Sequence, residues 1–229
     1  MRKIIIIHCL LAGGLLLHGQ TADFEQFIQS SYQLDISSRL SADLRTEARI
    51  RWLNNQEEGT NLTQLYIQAG GAYRLTNDLS AGISYRAALR SLDTGSPQWE
   101  HRFSQQASIT QSIRKIRLRE RLTLEQRILE SRNYQARHRW RLRVAADYPL
   151  SGEKLDVGEA YLNHHTELLL YPFEEQYWAS REHRVYSGIG WQLKKKNKLE
   201  AGMEVRLSRN DLPQNYDQRW IVRITYSFK

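Results

Sequence analysis

Residues Tyr134 to Ala146 constrain this chain more tightly than any other stretch. Tyr134, Ala136, His138, Trp140, Leu142, Val144 and Ala146 occupy one parity, and Arg137, Arg139, Arg141 and Arg143 occupy the other. Side chains of a strand point alternately to its two faces, so the segment presents one mostly apolar face and one ladder of guanidiniums. A helical period of 3.6 would scatter the same arginines around the axis, and the alternation therefore predicts a strand. With the stretch from Lys115 before it and a polar turn around Glu130 to Asn133, it forms a hairpin of two long strands.

The pattern recurs along the chain. Leu40, Ala42, Leu44, Thr46, Ala48, Ile50 and Trp52 alternate with Arg45, Glu47, Arg49 and other polar residues. Asn54 to Asn61 reads as a polar loop. Further strands follow around Leu65–Leu75, Leu79–Leu89, Trp99–Ile109, Gly158–Tyr171, Arg181–Leu193, Leu199–Leu207 and Trp220–Phe228. Tight turns by composition fall at Thr76–Asp78, Ser112–Arg114 and Lys194–Asn197. This gives ten strands after Leu40. Phe24 to Leu34 alternates weakly and reads either as extra strand or as a plug.

Strands of this kind suit a soluble barrel with an apolar interior or an outer-membrane barrel with an apolar exterior and a polar lumen. Three features favour the second. The strands are longer than the usual five or six residues of soluble sheets and cover the roughly 9–11 needed to cross a bilayer at a tilt. Five of the six tryptophans, Trp52, Trp99, Trp140, Trp191 and Trp220, lie on the apolar parity at or near strand ends, as an interface girdle requires. The chain ends with Phe228 behind Tyr226, Ile224 and Val222, similar to the terminal signal read by the bacterial barrel-assembly machinery, although Lys229 follows it.

An arginine facing mid-bilayer lipid costs roughly 2–4 kcal/mol in a barrel, so four on one strand must face the lumen or lie beyond the membrane. That rule assigns Arg45, Glu47, Arg49, Arg117, Arg119, Arg121, Glu125, Arg137, Arg139, Arg141, Arg143, Glu204, Arg206 and Arg223 to the lumen. Trp52, Trp99, Trp140, Trp191, Trp220 and Phe228 are assigned to the membrane interface. Glu120 alone breaks the rule, by falling on the lipid parity. It points to a bulge, an interfacial position or a shift of register.

The first twenty residues are of another kind. Arg2 and Lys3 precede the apolar Ile4 to Leu17, and His18-Gly19-Gln20 follows. This is the layout of a secretory signal peptide with cleavage after Gly19, which divides the chain into a leader (1–19), an N-terminal segment (20–38) and a barrel (39–229). Cys9, the only cysteine, lies in the leader. A mature chain without cysteine has no disulfide framework, thiolate catalysis or Cys-based metal site. The formal charge of +8 falls to +6 once Arg2 and Lys3 are removed.

The blocks LRERLTLEQR and RHRWRLRVAADYPL, with RLSADLRTEARIRW, YRLTNDLSAGISYR and WQLKKKNKLEAGMEVR, resemble the uncharacterised bacterial family known as domain of unknown function 2490. The resemblance spans nearly the whole mature chain and rests on alternation with Arg and Tyr at favoured places. It implies a Gram-negative outer-membrane β-barrel, often of the Bacteroidetes type, and brings no catalytic residues with it.

Other chemistry finds less support. His165 and Glu167 share a face while His164 points the other way, and two groups without an identified third ligand make a weak zinc site. A barrel enzyme acting on lipid or envelope substrates is the alternative, but no G-x-S-x-G elbow or nucleophile–base spacing appears. His101, His138 and His183 sit on the apolar parity. Nucleic acid is an unsuitable partner for a ladder that faces a lumen, and Glu47, Glu100, Glu125, Glu200 and Glu204 share that face to neutralise it. The sequence thus predicts an all-β, antiparallel, up-and-down transmembrane barrel of ten or twelve strands. Eleven would place the first and last strands in parallel. Expected partners are outer-membrane lipid and the assembly machinery, without a cofactor. The expected role is structural, or that of a narrow and largely occluded pore.

Overall fold

The computed structural model describes residues 23–54, 57–91, 96–130, 133–172, 180–195, 197–209 and 216–228. The leader (1–19), Cys9, Lys229 and most of the connection 172–179 lie outside them. The strands are β1 (Asp23–Asp35), β2 (Leu40–Asn54), β3 (Glu57–Arg74), β4 (Leu79–Arg90), β5 (Gln98–Ile113), β6 (Ile116–Leu129), β7 (Ala136–Pro149), β8 (Ala160–Leu170), β9 (Ser180–Lys194), β10 (Asn197–Arg209) and β11 (Tyr216–Phe228). Each pairs with the next, and β1 pairs with β11, so the sheet closes into a barrel.

Eleven strands fall between the expected ten and twelve, and the odd number decides how the barrel closes. A meander that reverses direction at every turn returns its eleventh strand parallel to its first. The β1–β11 seam runs parallel from Asp23↔Arg219 to Tyr32↔Phe228, and every other pair is antiparallel. The expectation of a wholly antiparallel barrel is corrected at this one seam. β1 therefore belongs to the wall and is not a plug. A second correction concerns Asn54 to Asn61: β2 and β3 continue as a paired ribbon as far as Asn54↔Glu57, where a loop was expected.

Alternation then sorts the side chains, and the sorting is the reverse of a water-soluble core. Ile83 is 69% exposed and Leu75 52%, whereas Glu100 and Glu204 are each 1% exposed. Glu120 points outward in an unbroken register with Ile109 and Val144, so neither a bulge nor a slip accounts for it. It lies in the first half of β6, four residues from the strand's start.

One rim, here the lower, carries the turns 36–39, 75–78 and 114–115, the loop 150–159 and Phe228 at the end of β11. Asp23 lies at the upper rim. Trp52, Trp99, Trp140 and Trp220 project outward near the upper rim. Trp191 projects near the lower one, in a band with Tyr32, Tyr73, Tyr148, Tyr226 and Phe228. Tyr32 and Phe228 meet across the parallel seam with ring centres 5.1 Å apart.

Inside, close packing is local. Tyr161 and Tyr186 lie across β9 and β10, where Gly188, Gly190 and Gly202 leave room for their rings. A Cβ built on Gly190 would stand 2.2 Å from Tyr161 Cζ, and one on Gly202 2.7 Å from the Tyr186 hydroxyl.

Candidate functional site

The lumen holds a cavity of about 1650 Å³. Its lining runs from Ser37, Asn77 and Lys195 at the lower rim to Arg90, Ser208 and Gln218 toward the upper one.

Cross-strand pairing on the inward parity builds a continuous ionic circuit around this wall. Arg90 Nη1 lies 2.8 Å from Glu100, and Arg102 joins Glu100 at 2.5 Å to Glu125 at 3.4 Å. Arg141 bridges Glu125 at 2.9 Å and Glu167 at 2.6 Å. Arg184 bridges Glu167 at 3.4 Å and Glu182 at 2.6 Å. Arg206 reaches Glu182 at 3.9 Å and Glu204 at 2.5 Å, and Arg223 also holds Glu204. The circuit thus crosses eight consecutive strands, β4 to β11. Arg223 carries it over the parallel seam through Nη2 to Gln29 on β1, 3.2 Å away. Arg127 adds a third guanidinium to Glu100, and Arg139 adds one to Glu125.

A single exposed ion pair contributes about 0–1 kcal/mol. Here each carboxylate faces two or three guanidiniums, and each bridging arginine holds two carboxylates. Removing one member leaves several desolvated charges facing one another, which costs far more.

β1 and β2 complete the ring differently. Glu47 accepts from Arg49 Nε at 2.7 Å and from the Tyr66 hydroxyl at 3.2 Å. Beside it Phe27, only 1% exposed, turns its ring into the lumen. The guanidiniums of Arg49, Arg206 and Arg223 lie 4.2, 4.8 and 5.7 Å from its centre, within cation–π range.

Below the circuit the balance of charge changes. Arg121 stands directly opposite Arg143 in the β6–β7 register. Arg119 lies two residues before Arg121 on the same face, and Arg45 and Arg141 project into the same cavity. Arg143 donates to His165 Nδ1 at 3.1 Å if that nitrogen is the acceptor, and Arg119 is 4.0 Å from Asp147. The Nε atoms of Arg45, Arg121 and Arg141 are buried without an acceptor among the described residues.

The chain matches the family described as protein of unknown function (DUF2490) over residues 25–217. It belongs to the DUF2490 family. No curated protein matches it. The DUF2490 match begins within β1 and ends at the start of β11, so it spans β2 to β10 and every member of the ionic circuit except Arg223, which follows it.

In this DUF2490 barrel the residues assigned to the lumen from sequence sit on the interior wall. Arg45, Glu47, Arg49, Arg117, Arg119, Arg121, Glu125, Arg139, Arg141, Arg143, Arg206 and Arg223 line the cavity. Glu204 is buried behind Arg206 and Arg223. Arg137 is at the upper end of β7, with its guanidinium 5.7 Å from the Tyr171 ring centre. His165 and Glu167 face inward together, but Arg141 and Arg184 hold Glu167, and His165 stacks on Tyr186 at 4.7 Å. Among the described residues no group of three or more His, Cys, Asp or Glu converges as a metal site. His101 and His183 point outward, His101 against Tyr85 at 2.6 Å and His183 against Thr166 at 2.7 Å.

Sequence reasoning missed Glu25, Phe27, Glu182, Arg184 and the inward tyrosines. Parity counted from Glu204 and Arg206 through the Lys194–Asn197 turn signals Glu182 and Arg184. Phe27 carries no such signal, because an apolar residue on a polar face looks like a break in the pattern.

Proposed function

We propose that this DUF2490 protein is an outer-membrane β-barrel with a narrow, charge-lined lumen, whose role is structural or that of a restricted, anion-favouring passage. The observation that carries the reading is the inversion of polarity: apolar residues cover the outside of a closed barrel, and the charged residues are held within it. An exposed apolar surface this extensive is the mark of a protein that lives against lipid. Two bands of aromatics flank it. Trp220 and Phe228 on β11 are ~20 Å apart along the barrel axis at ~3.3 Å per residue and a tilt of about 40°, of the order of the roughly 25 Å apolar band of such barrels. The signal-peptide-like leader supports export, and the aromatic end of β11 supports delivery to the assembly machinery.

Conductance follows from the wall. Long Arg and Glu side chains project into a barrel only moderately wider than the eight-stranded type whose interior fills. Excess guanidinium over carboxylate favours anions. Purified protein reconstituted in planar bilayers is expected to give small or no conductance, with chloride preferred over potassium in any open state. A large, stable, cation-selective pore contradicts the proposal. So does recovery of the protein from the soluble periplasmic fraction with gel mobility unchanged by heating.

A further inference from the structure

The ionic circuit and the pairs Arg49–Glu47 and Arg119–Asp147 hold lumen arginines against carboxylates, and leave others that have none. Arg121 and Arg45 make no hydrogen bond or ion pair among the described residues, yet they project from β6 and β2 into the same space. Arg143 lies across from Arg121, and Arg119 lies two residues before it on the same wall. Like charges placed directly opposite each other on a sheet destabilise it, and a buried guanidinium nitrogen without an acceptor adds its own desolvation cost.

Glu167 stands opposite Arg143 in the β7–β8 register, but Arg141 and Arg184 already hold that carboxylate, and the wall beside Arg121 offers none. Arg121 is paired on its other side with Ser108, and Arg119 with Thr110. The inward face of β5 from Ser104 to Ser112 carries hydroxyls and an amide, without a carboxylate. Planar guanidinium forks converging beside hydroxyl donors are the donor set that binds a tetrahedral oxyanion, each fork supplying two parallel N–H groups.

We propose that the lower lumen is a binding site for a phosphate-bearing ligand, held by Arg45, Arg121 and Arg143 with Ser108 beside them. The cavity reaches the lower rim, so a soluble ligand has a path to it, and about 1650 Å³ leaves room for the group that carries the phosphate. The site depends on the interior geometry alone and stands whether or not the barrel resides in the outer membrane.

The test uses the full-length folded protein in detergent, with pyrophosphate as the probe, followed by titration calorimetry and by thermal unfolding. Pyrophosphate is expected to bind and to raise the unfolding temperature. The Arg45→Gln/Arg121→Gln variant is expected to bind at least tenfold more weakly, and to be as stable as the parent or more so without ligand, because repulsion has been removed. Arg121→Lys is expected to keep the charge and lose most of the affinity, since it lacks the fork. Arg90→Gln, on the upper wall, is expected to bind as the parent does. Dihexanoyl phosphatidic acid tests the source of the phosphate: competition with pyrophosphate identifies a lipid headgroup, and failure to compete a soluble ligand. The proposal is overturned if pyrophosphate does not bind, or if the double variant or Arg121→Lys binds as tightly as the parent.

Discussion

Arg141 is the residue on which the interior wall turns, because its two terminal nitrogens hold Glu125 and Glu167 on opposite sides. Arg141→Gln opens the circuit at that point and leaves two buried carboxylates each short of one partner. The expected cost is about 2–3 kcal/mol, below the 3–5 typical of a broken buried pair because the lumen admits water. Denaturant titration of protein folded into lipid vesicles measures it, and a change within 0.5 kcal/mol speaks against a cooperative circuit. The neighbouring Arg121 should behave oppositely, since its loss removes repulsion. A different constraint acts at Gly190, where any Cβ meets the Tyr161 ring. Gly190→Ala is expected to destabilise the barrel by about 1–3 kcal/mol through overpacking. The same change in a Tyr161→Ala background should cost much less, and equal costs in both backgrounds would show that the ring is not the obstacle.

Among the elements, β1 behaves least as its sequence suggests. Its outward residues Ile28, Tyr32 and Leu34 keep parity, but Phe27 faces the lumen among three guanidiniums. Apolar side chains therefore appear on both faces and the alternation blurs. The β1–β11 pairing is decided by closure, a property of the whole sheet that no local window contains. It can be tested at Ser31 and Ser227, whose hydroxyl oxygens are 2.8 Å apart across the seam. A Ser31→Cys/Ser227→Cys variant is expected to form an intramolecular disulfide on mild oxidation, read as a mobility shift reversed by reductant. Free thiols under those conditions would contradict the parallel seam. β7, in contrast, was legible outright: four arginines on one parity leave only one face that tolerates apolar surroundings. The lumen residues were legible for the same reason, since parity alone places them. Their partition into a paired circuit and an unpaired set was not, because it depends on which strands neighbour which and on side chains reaching across the lumen. Arg45 on β2 and Arg121 on β6, which line the same cavity from strands far apart in the sheet, are such a case.

For the whole molecule, the polarity of the two faces determines the medium in which the fold is stable. A closed barrel with Ile83 and Leu75 outside and Glu100 and Glu204 sealed within exposes the apolar side chains that a water-soluble protein buries. The central claim is that this exterior meets lipid while the arginine face meets an aqueous lumen. Spin labels placed singly at positions 138 to 146 of β7, in protein reconstituted into bilayers, test it most directly. Collision rates with oxygen, which partitions into lipid, and with a water-soluble nickel chelate are then compared along the strand. The account predicts a period of two: labels at Leu142, Val144 and Ala146 favour oxygen, and labels at Arg139, Arg141 and Arg143 are shielded from it. Preferential access of the nickel chelate to Leu142 and Val144, or a profile without alternation, would contradict it.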